Sequence, residues 1–292
     1  MSSFPPELRP PREDEAEAAA ELLNEHAERL DGAKVSAAEV RRWWETEVDR
    51  ETRVRIVPGF GYADLSNAAG RWWADVRSLD PAAFAALLDW TESAAGRPLR
   101  CHCDSADAEA AAMLEARGYG VIRSSYRMAI ELGDELPPEA DWPDGVGVRT
   151  MREGEEHAVY EAEQESFADH WEFAPRSFDE WRRRRLHPAS FVQEFWFLAA
   201  DGHEIAGVAL CGHDPSGDPS AGWVNELGVR RPWRRRGIAL ALLRYAFREL
   251  HAAGKRRVTL GVDAGNTTGA VALYERAGMR QIRRFDTYEL AS

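Results

Sequence analysis

The stretch Val229–Leu243, VRRPWRRRGIALALL, is where this sequence first offers chemistry. Five of the seven residues from Arg230 to Arg236 are arginine, in a chain whose formal net charge is −13. Gly237 follows at once. Beyond it Ile238, Leu242, Leu243, Ala246, Phe247 and Leu250 recur at helical spacing, and Gly254 closes the run. A strand that enters a helix through such a loop aims free backbone N–H groups and the positive end of the helix dipole at one point. Phosphate is the anion that such a point holds best. Gly237 lets the ligand approach the backbone, and guanidinium groups bind phosphate oxygens in pairs. A solvated basic turn is the alternative use of an arginine run.

Other residues could join that chemistry. Glu226 is the only carboxylate in the predicted strand GWVNELGV, residues 222–229. Strand alternation sets it opposite in facing to Trp223, Asn225 and Leu227 unless a bulge intervenes. FADHW, residues 167–171, places Asp169 and His170 just after a predicted helix, where a capped helix end is the plainer reading. WRRRRLHP, Trp181 to Pro188, reads as a solvated helix face. His203 and His213 flank a strand that carries Cys211, but a hairpin with polar ends accounts for them, and no metal site is expected. Cys101-His102-Cys103 falls on a buried strand as core filler.

Several classes fall away. The pattern G-x-x-x-x-G-K-[ST] is absent, and so are a dinucleotide fingerprint at this loop, an RNP motif and a zinc-finger pattern. Three cysteines without C-x-x-C spacing suggest neither a disulfide framework nor zinc. No apolar run approaches a membrane span, and MSSFPPELRPPREDE has no apolar signal core. The expectation is a cytoplasmic protein, monomer or homodimer, with no nucleic-acid or membrane partner.

The elements that must position these residues follow from pattern. Residues 1–145 hold 16 Lys and Arg against 29 Asp and Glu, whereas residues 146–292 hold 21 of each. The acid excess is therefore all in the first half, and the second is free to gather positive charge around an anion. GDELPPEADWPDG, residues 133–145, reads as a linker. On each side of it the same plan recurs: helix, glycine stop, strand, polar turn, helix, glycine stop, strand. In the second copy, strands are predicted at 145–151, 222–229 and 257–263, with a last one from Arg280. A hairpin over 195–212 turns at Asp201-Gly202, and helices cover 155–168 and 269–277. Strands with interleaved helices give an α/β or α+β layer architecture.

Arg234-x-x-Gly237-x-Ala239 resembles the acyl-CoA pyrophosphate motif of the GNAT acetyltransferase superfamily, and NTTGAVALYERAGM, residues 266–279, resembles that superfamily's second signature. The resemblance covers residues 146–292 well and 4–132 weakly. It implies two tandem GNAT-like domains, each a mixed, mostly antiparallel sheet flanked by helices: a degenerate one over 1–132, the linker, and a catalytic one over 146–292. In architecture the chain is similar to the actinobacterial mycothiol synthase group.

The implied reaction moves an acetyl group from acetyl-CoA to an amine, with a small-molecule acceptor preferred over a protein N-terminus. A catalytically silent acyl-CoA-binding module is the rival. The resemblance gives Leu227, Gly228 and Val229 to the pantetheine arm and the thioester carbonyl, through a splay between this strand and the one ending at Asp263. It gives Arg234, Arg235, Arg236, Gly237, Ile238 and Ala239 to the pyrophosphate, and Asn266 to the cofactor beyond the splay. Tyr274 becomes the general acid, since a phenol's ordinary pKa suits protonation of a departing thiolate. A core tyrosine beside Leu273 is the alternative. Glu226 is the candidate base. Related enzymes carry a glutamate nearer the position of Trp223, which leaves a water chain or Asp169 open as base. Asp169 and His170 fall where the superfamily lines its acceptor pocket.

The first copy keeps the plan without the chemistry. From Val76 to Leu87 is 11 positions, against 13 from Val229 to Leu242, and Asp80-Pro81 stands where arginines should be. Leu114 takes the place of Tyr274. That copy is expected to bind no acyl-CoA, and its RRWW and RWW runs suit a domain interface.

Overall fold

The computed structural model describes residues 7–30, 32, 34–46, 48–68, 70–171, 173–187, 191–266 and 269–291. In chain order the first elements are α1 (Ala16–Arg29), α2 (Ala37–Thr46), α3 (Arg50–Arg53), β1 (Val54–Val57), β2 (Gly61–Ala68) and β3 (Arg71–Ser78). Next come α4 (Pro81–Ala94), β4 (Leu99–Asp104), α5 (Ala108–Ala116) and β5 (Gly120–Glu131). The second run holds β6 (Val146–Thr150), α6 (Glu156–Phe167), α7 (Phe178–Arg185), β7 (Phe191–Asp201), β8 (Glu204–His213) and β9 (Ala221–Val229). It closes with α8 (Ile238–Ala252), β10 (Arg257–Asp263), α9 (Ala270–Arg276) and β11 (Arg280–Leu290).

Two compact units divide these elements. The first takes the chain up to Ser125, the short piece Pro215–Gly217 and everything from Arg283; the second takes Tyr126–Asp214 and Asp218–Ile282. Both β5 and β11 therefore change unit part-way along.

In the first unit β1, β2 and β3 form an antiparallel meander. Strand β4 lies parallel to β3 after the α4 crossover, and Phe285–Leu290 of β11 adds antiparallel to β4. Alternation along β3 buries Ala74 and Val76 under Phe84, Leu87 and Leu88 of α4. The opposite face carries Trp73, Asp75 and Arg77. Trp44, Trp72 and Trp73 of the RRWW and RWW runs each make contacts inside this unit. Trp44 donates from Nε1 to the Tyr62 hydroxyl at 3.2 Å, Trp72 packs on the α4 core, and Trp73 stacks on His102 at 5.3 Å.

The second unit is an antiparallel sheet β6–β7–β8–β9 with β10 parallel to β9. Strand β8 is buried on both faces. Ala206, Ala209 and Cys211 lie in the core built around α8, whereas Ile205, Val208 and Leu210 join that of α6 and α7. The α8 stripe predicted from spacing is buried throughout, from Ile238 to Leu250. The linker is not a free tether. His251 bonds to the Gly133 carbonyl at 2.8 Å, Arg248 donates to that of Pro137 at 2.7 Å, and Trp142 meets Tyr245 edge-on.

Candidate active site

Strands β9 and β10 run together only from Ala221 to Val224, paired with Arg257 to Leu260. Beyond that pair the ladder stops, and the backbone of Leu227, Gly228 and Val229 is left open on the β10 side. A cavity of about 600 Å³ occupies the gap. Its walls are these three residues, the loop before α8 and its first turn (Trp233, Arg234, Arg235 and Gly237 to Leu240), α9 with Leu273, Tyr274 and Arg276, and Ser166 and His170 from the α6 side.

Gly228 is required by close approach. A Cβ there would stand 2.7 Å from that of Ser166 and 3.0 Å from the Phe167 ring, so α6 could not seat against β9. Gly237 is required by conformation, with φ at 85°, and a Cβ there would meet nothing within 4 Å. It caps α8 without any side chain accepting from the first turn. The N–H groups that open this helix are therefore available to an anion.

The arginines divide their work. Arg230 pairs with Glu165 at 2.6 Å and lies over Trp233. Arg231 and Arg234 both grip Asp169, and Arg234 also donates to the carbonyls of Val229 and Ser166 at 3.0 and 3.1 Å. Arg236 donates to the Asp144 carbonyl at 3.1 Å and stands 3.5 Å from Asp201. Arg235 makes no hydrogen bond or ion pair among the described residues, lines the cavity and sits at φ 65°. It is the only non-glycine residue with positive φ among those described, a conformation that costs backbone energy. Of the three arginines that the motif gives to pyrophosphate, Arg235 is thus the uncommitted one. Arg234 builds the loop, and Arg236 does not line the cavity.

Tyr274 is buried in the core of α8 yet lines the cavity, and its hydroxyl has no hydrogen-bond partner among the described residues. Burial, and then the charge of Glu226, push that hydroxyl well above its ordinary value, so it stays protonated at neutral pH. Asp169 is exposed and held by two guanidinium groups, which press its carboxyl far below the usual range. A carboxylate so held is a poor proton acceptor. His170 is beside Phe167 in the cavity wall, and burial lowers its pKa. Asn266 does not line the cavity; its N–H donates to the Asp263 carbonyl at 3.1 Å. Thr267, Thr268 and Pro188 lie outside the described residues.

Glu226 sits where a bulge decides its facing. Leu210 of β8 is opposite Glu226, and Cys211 is opposite Val224, so Asn225 is the extra residue. Past the bulge Glu226 lies on the α6 and α7 face with Trp223 and Gly228, and Leu227 on the α8 face. One oxygen of Glu226 is taken by Arg185 of α7, whose Nη2 also reaches Glu163 of α6 at 3.2 Å. Trp181 donates to the other oxygen of Glu163 at 2.6 Å. The run read as a solvated helix face is therefore only half solvated. Arg182 and Arg183 are exposed, whereas Trp181 is buried and Arg185 turns inward, because one turn of helix puts those two on the same side. Burial raises Glu226 to about 7, the Arg185 charge opposing and the Glu163 charge adding to the rise.

Glu163 was missed in sequence, although its spacing carried a signal. Val159, Ala162, Glu163 and Ser166 form the buried stripe of α6, and a carboxylate within such a stripe needs a buried cation.

In the first unit the corresponding helix start is filled. Asp80 caps α4 by accepting from the Ala83 N–H at 2.9 Å, and Leu114 is buried in α5.

Comparison with known proteins gives the family and the fold. The profile of the acetyltransferase (GNAT) family matches residues 156–279. A mycothiol acetyltransferase of Catenulispora acidiphila is 31% identical over 80% of this chain and 76% of its own. A crystal structure of a GCN5-related N-acetyltransferase from Sphaerobacter thermophilus, 30% identical, superposes with a TM-score of 0.78 over 97% of this chain and 95% of that one. A tandem GNAT protein from the clavulanic acid biosynthesis pathway, 16% identical, shares the fold with a TM-score of 0.70 over 97% of this chain and 98% of that one. The chain belongs to the GNAT family and is an acyl-CoA-dependent acetyltransferase.

Proposed function

We propose that the second unit transfers the acetyl group of acetyl-CoA to the amine of a small molecule. The observation that carries this reading is the end of the β9–β10 ladder at Val224 and Leu260, with an uncapped helix start and a protonated tyrosine on the same cavity. The residues fit the cofactor. The open N–H groups at Ile238 and Ala239, with Arg235, would hold the pyrophosphate. The backbone of Leu227–Val229, paired to β8 but open on its β10 side, would hold the pantetheine arm and polarise the thioester carbonyl.

Acetyl-CoA supplies an activated acyl group. Glu226 takes a proton from the acceptor's ammonium, directly or through water. The neutral nitrogen attacks the thioester carbon, the C–S bond breaks, and Tyr274 gives its proton to the departing sulfur. A carboxyl at about 7 is matched to such a base near neutrality. The similarity to a mycothiol acetyltransferase favours a small-molecule acceptor over a protein N-terminus.

The test is thiol release from acetyl-CoA with polyamines, aminoglycosides, amino acids and cysteinyl pseudodisaccharides. Turnover with one of these supports the reading. Acetylation of protein N-termini alone would overturn it.

A further inference from the structure

Two carboxylates, Glu163 buried and Glu226 partly buried, share one guanidinium beside the proposed site, and the reaction described above does not use that guanidinium. Glu163 is 3% exposed, and the Arg185 and Glu226 side chains 22% and 19%. Removing such charges from water is costly unless they are paired. One Arg185 nitrogen meets Oε1 of both glutamates, and Trp181 occupies Oε2 of Glu163. Only Oε2 of Glu226 is left, with no partner among the described residues, and it is the one carboxylate oxygen of the cluster not spent on holding the others.

We propose that Arg185 is a positioning residue, whose bridge between Glu163 and Glu226 fixes Glu226 so that its free oxygen receives the acceptor's ammonium. The role rests on the reading of Glu226 as base. A neutral residue at 185 would leave two carboxylates facing each other. They would then share a proton, and Glu226 would turn to bond Glu163 rather than the acceptor.

The groups that bear on Glu226 come from each element around it. Glu163 stands on α6, Arg185 on α7, Arg176 before α7 and Tyr274 on α9. Only the two arginines favour the ionised form, and Arg185 is the larger influence. The sign follows: without Arg185, Glu226 needs a higher pH to ionise.

The experiment compares Arg185→Gln and Arg185→Lys with the unaltered chain. Glu226 is titrated by carbon NMR of ¹³C-carboxyl glutamate, its signal identified by its absence in Glu226→Gln. kcat/KM is profiled against pH with acetyl-CoA and whichever amine of the panel turns over. In Arg185→Gln both the titration and the acid limb should move up by about one pH unit or more. kcat should fall more than KM rises, and acetyl-CoA affinity by calorimetry should stay put as the check on folding. Arg185→Lys, which keeps the charge but loses the fork, should recover the titration and only part of kcat.

A titration and profile unmoved in both variants would overturn the role of Arg185. If Arg185→Gln fails to fold, an Arg185→Lys variant with full kcat would overturn it too. Full activity in Glu226→Gln is a different failure, that of Glu226 as base.

Discussion

Leu210 of β8 faces Glu226 across the ladder, while its neighbour Cys211 faces Val224. One extra residue in β9 thus moves the only carboxylate of that strand onto the face of α6 and α7. With Glu226 raised to about 7, kcat/KM should fall as pH drops through that value, because the carboxylate must be ionised to accept a proton. Glu226→Gln should lower kcat and flatten that limb. A limb that persists in the variant would assign it to another group.

Tyr274→Phe removes the free hydroxyl and nothing of the buried ring. Acetyl-CoA affinity should be kept and kcat should drop by about 10²- to 10⁴-fold, the range of general acid catalysis. Stopped-flow thiol release gives the number, and near-native turnover would exclude the tyrosine as acid.

Among the loop arginines, the unpaired one should matter most to the cofactor. Arg235→Ala should weaken CoA binding by about tenfold or more, the worth of a charged hydrogen bond. Arg236→Ala should cost less, since that side chain is committed to Asp144 and Asp201. Gly237→Asp should abolish binding, by its carboxylate and by its backbone. Calorimetry that ranks Arg236 above Arg235 would contradict this division.

Titration with CoA should give one site per chain. The α8 start is open, whereas Asp80 already satisfies the start of α4 with a carboxylate that would repel phosphate. A stoichiometry of two would refute the assignment.

Asp64 gives a prediction about stability alone. Burial, with Asp75 opposite it, raises its carboxyl to about 7, whereas in the unfolded chain it takes the ordinary value. Its stabilising contribution is therefore full below the ordinary carboxylate range and is lost as pH rises through about 7. Asp64→Asn should raise Tm by a few degrees at pH 8 and lose that advantage toward pH 4. An equal effect at both ends would mean that Asp64 does not titrate in this way.

Much of the second unit was legible because its signals are local. Asp201-Gly202 marks a turn by its own conformational preference, Gly254 stops a helix, and the α8 stripe repeats with the helical period. The uncapped start of α8 was legible for the same reason, since backbone N–H groups at a helix start do not depend on distant residues. Facing in β9 was not, because a bulge adds a residue without changing any residue type. Arg185 was hidden among four arginines in sequence; only the partners brought by α6 and β9 distinguish it from Arg182 and Arg183. Nor did the repeat reveal that β5 and β11 change unit, because both copies end in strands of the same kind.

That exchange has a consequence for how the chain is made. Arg100 of β4 meets Glu289 of β11 at 2.8 Å across 189 residues. While the ribosome is adding the second unit, β4 waits with one edge bare, and the first sheet cannot close until the strand at 285–290 has emerged. The first unit is therefore completed only after the second has been synthesised, and a chain stopped short of β11 leaves an open strand edge to meet another copy.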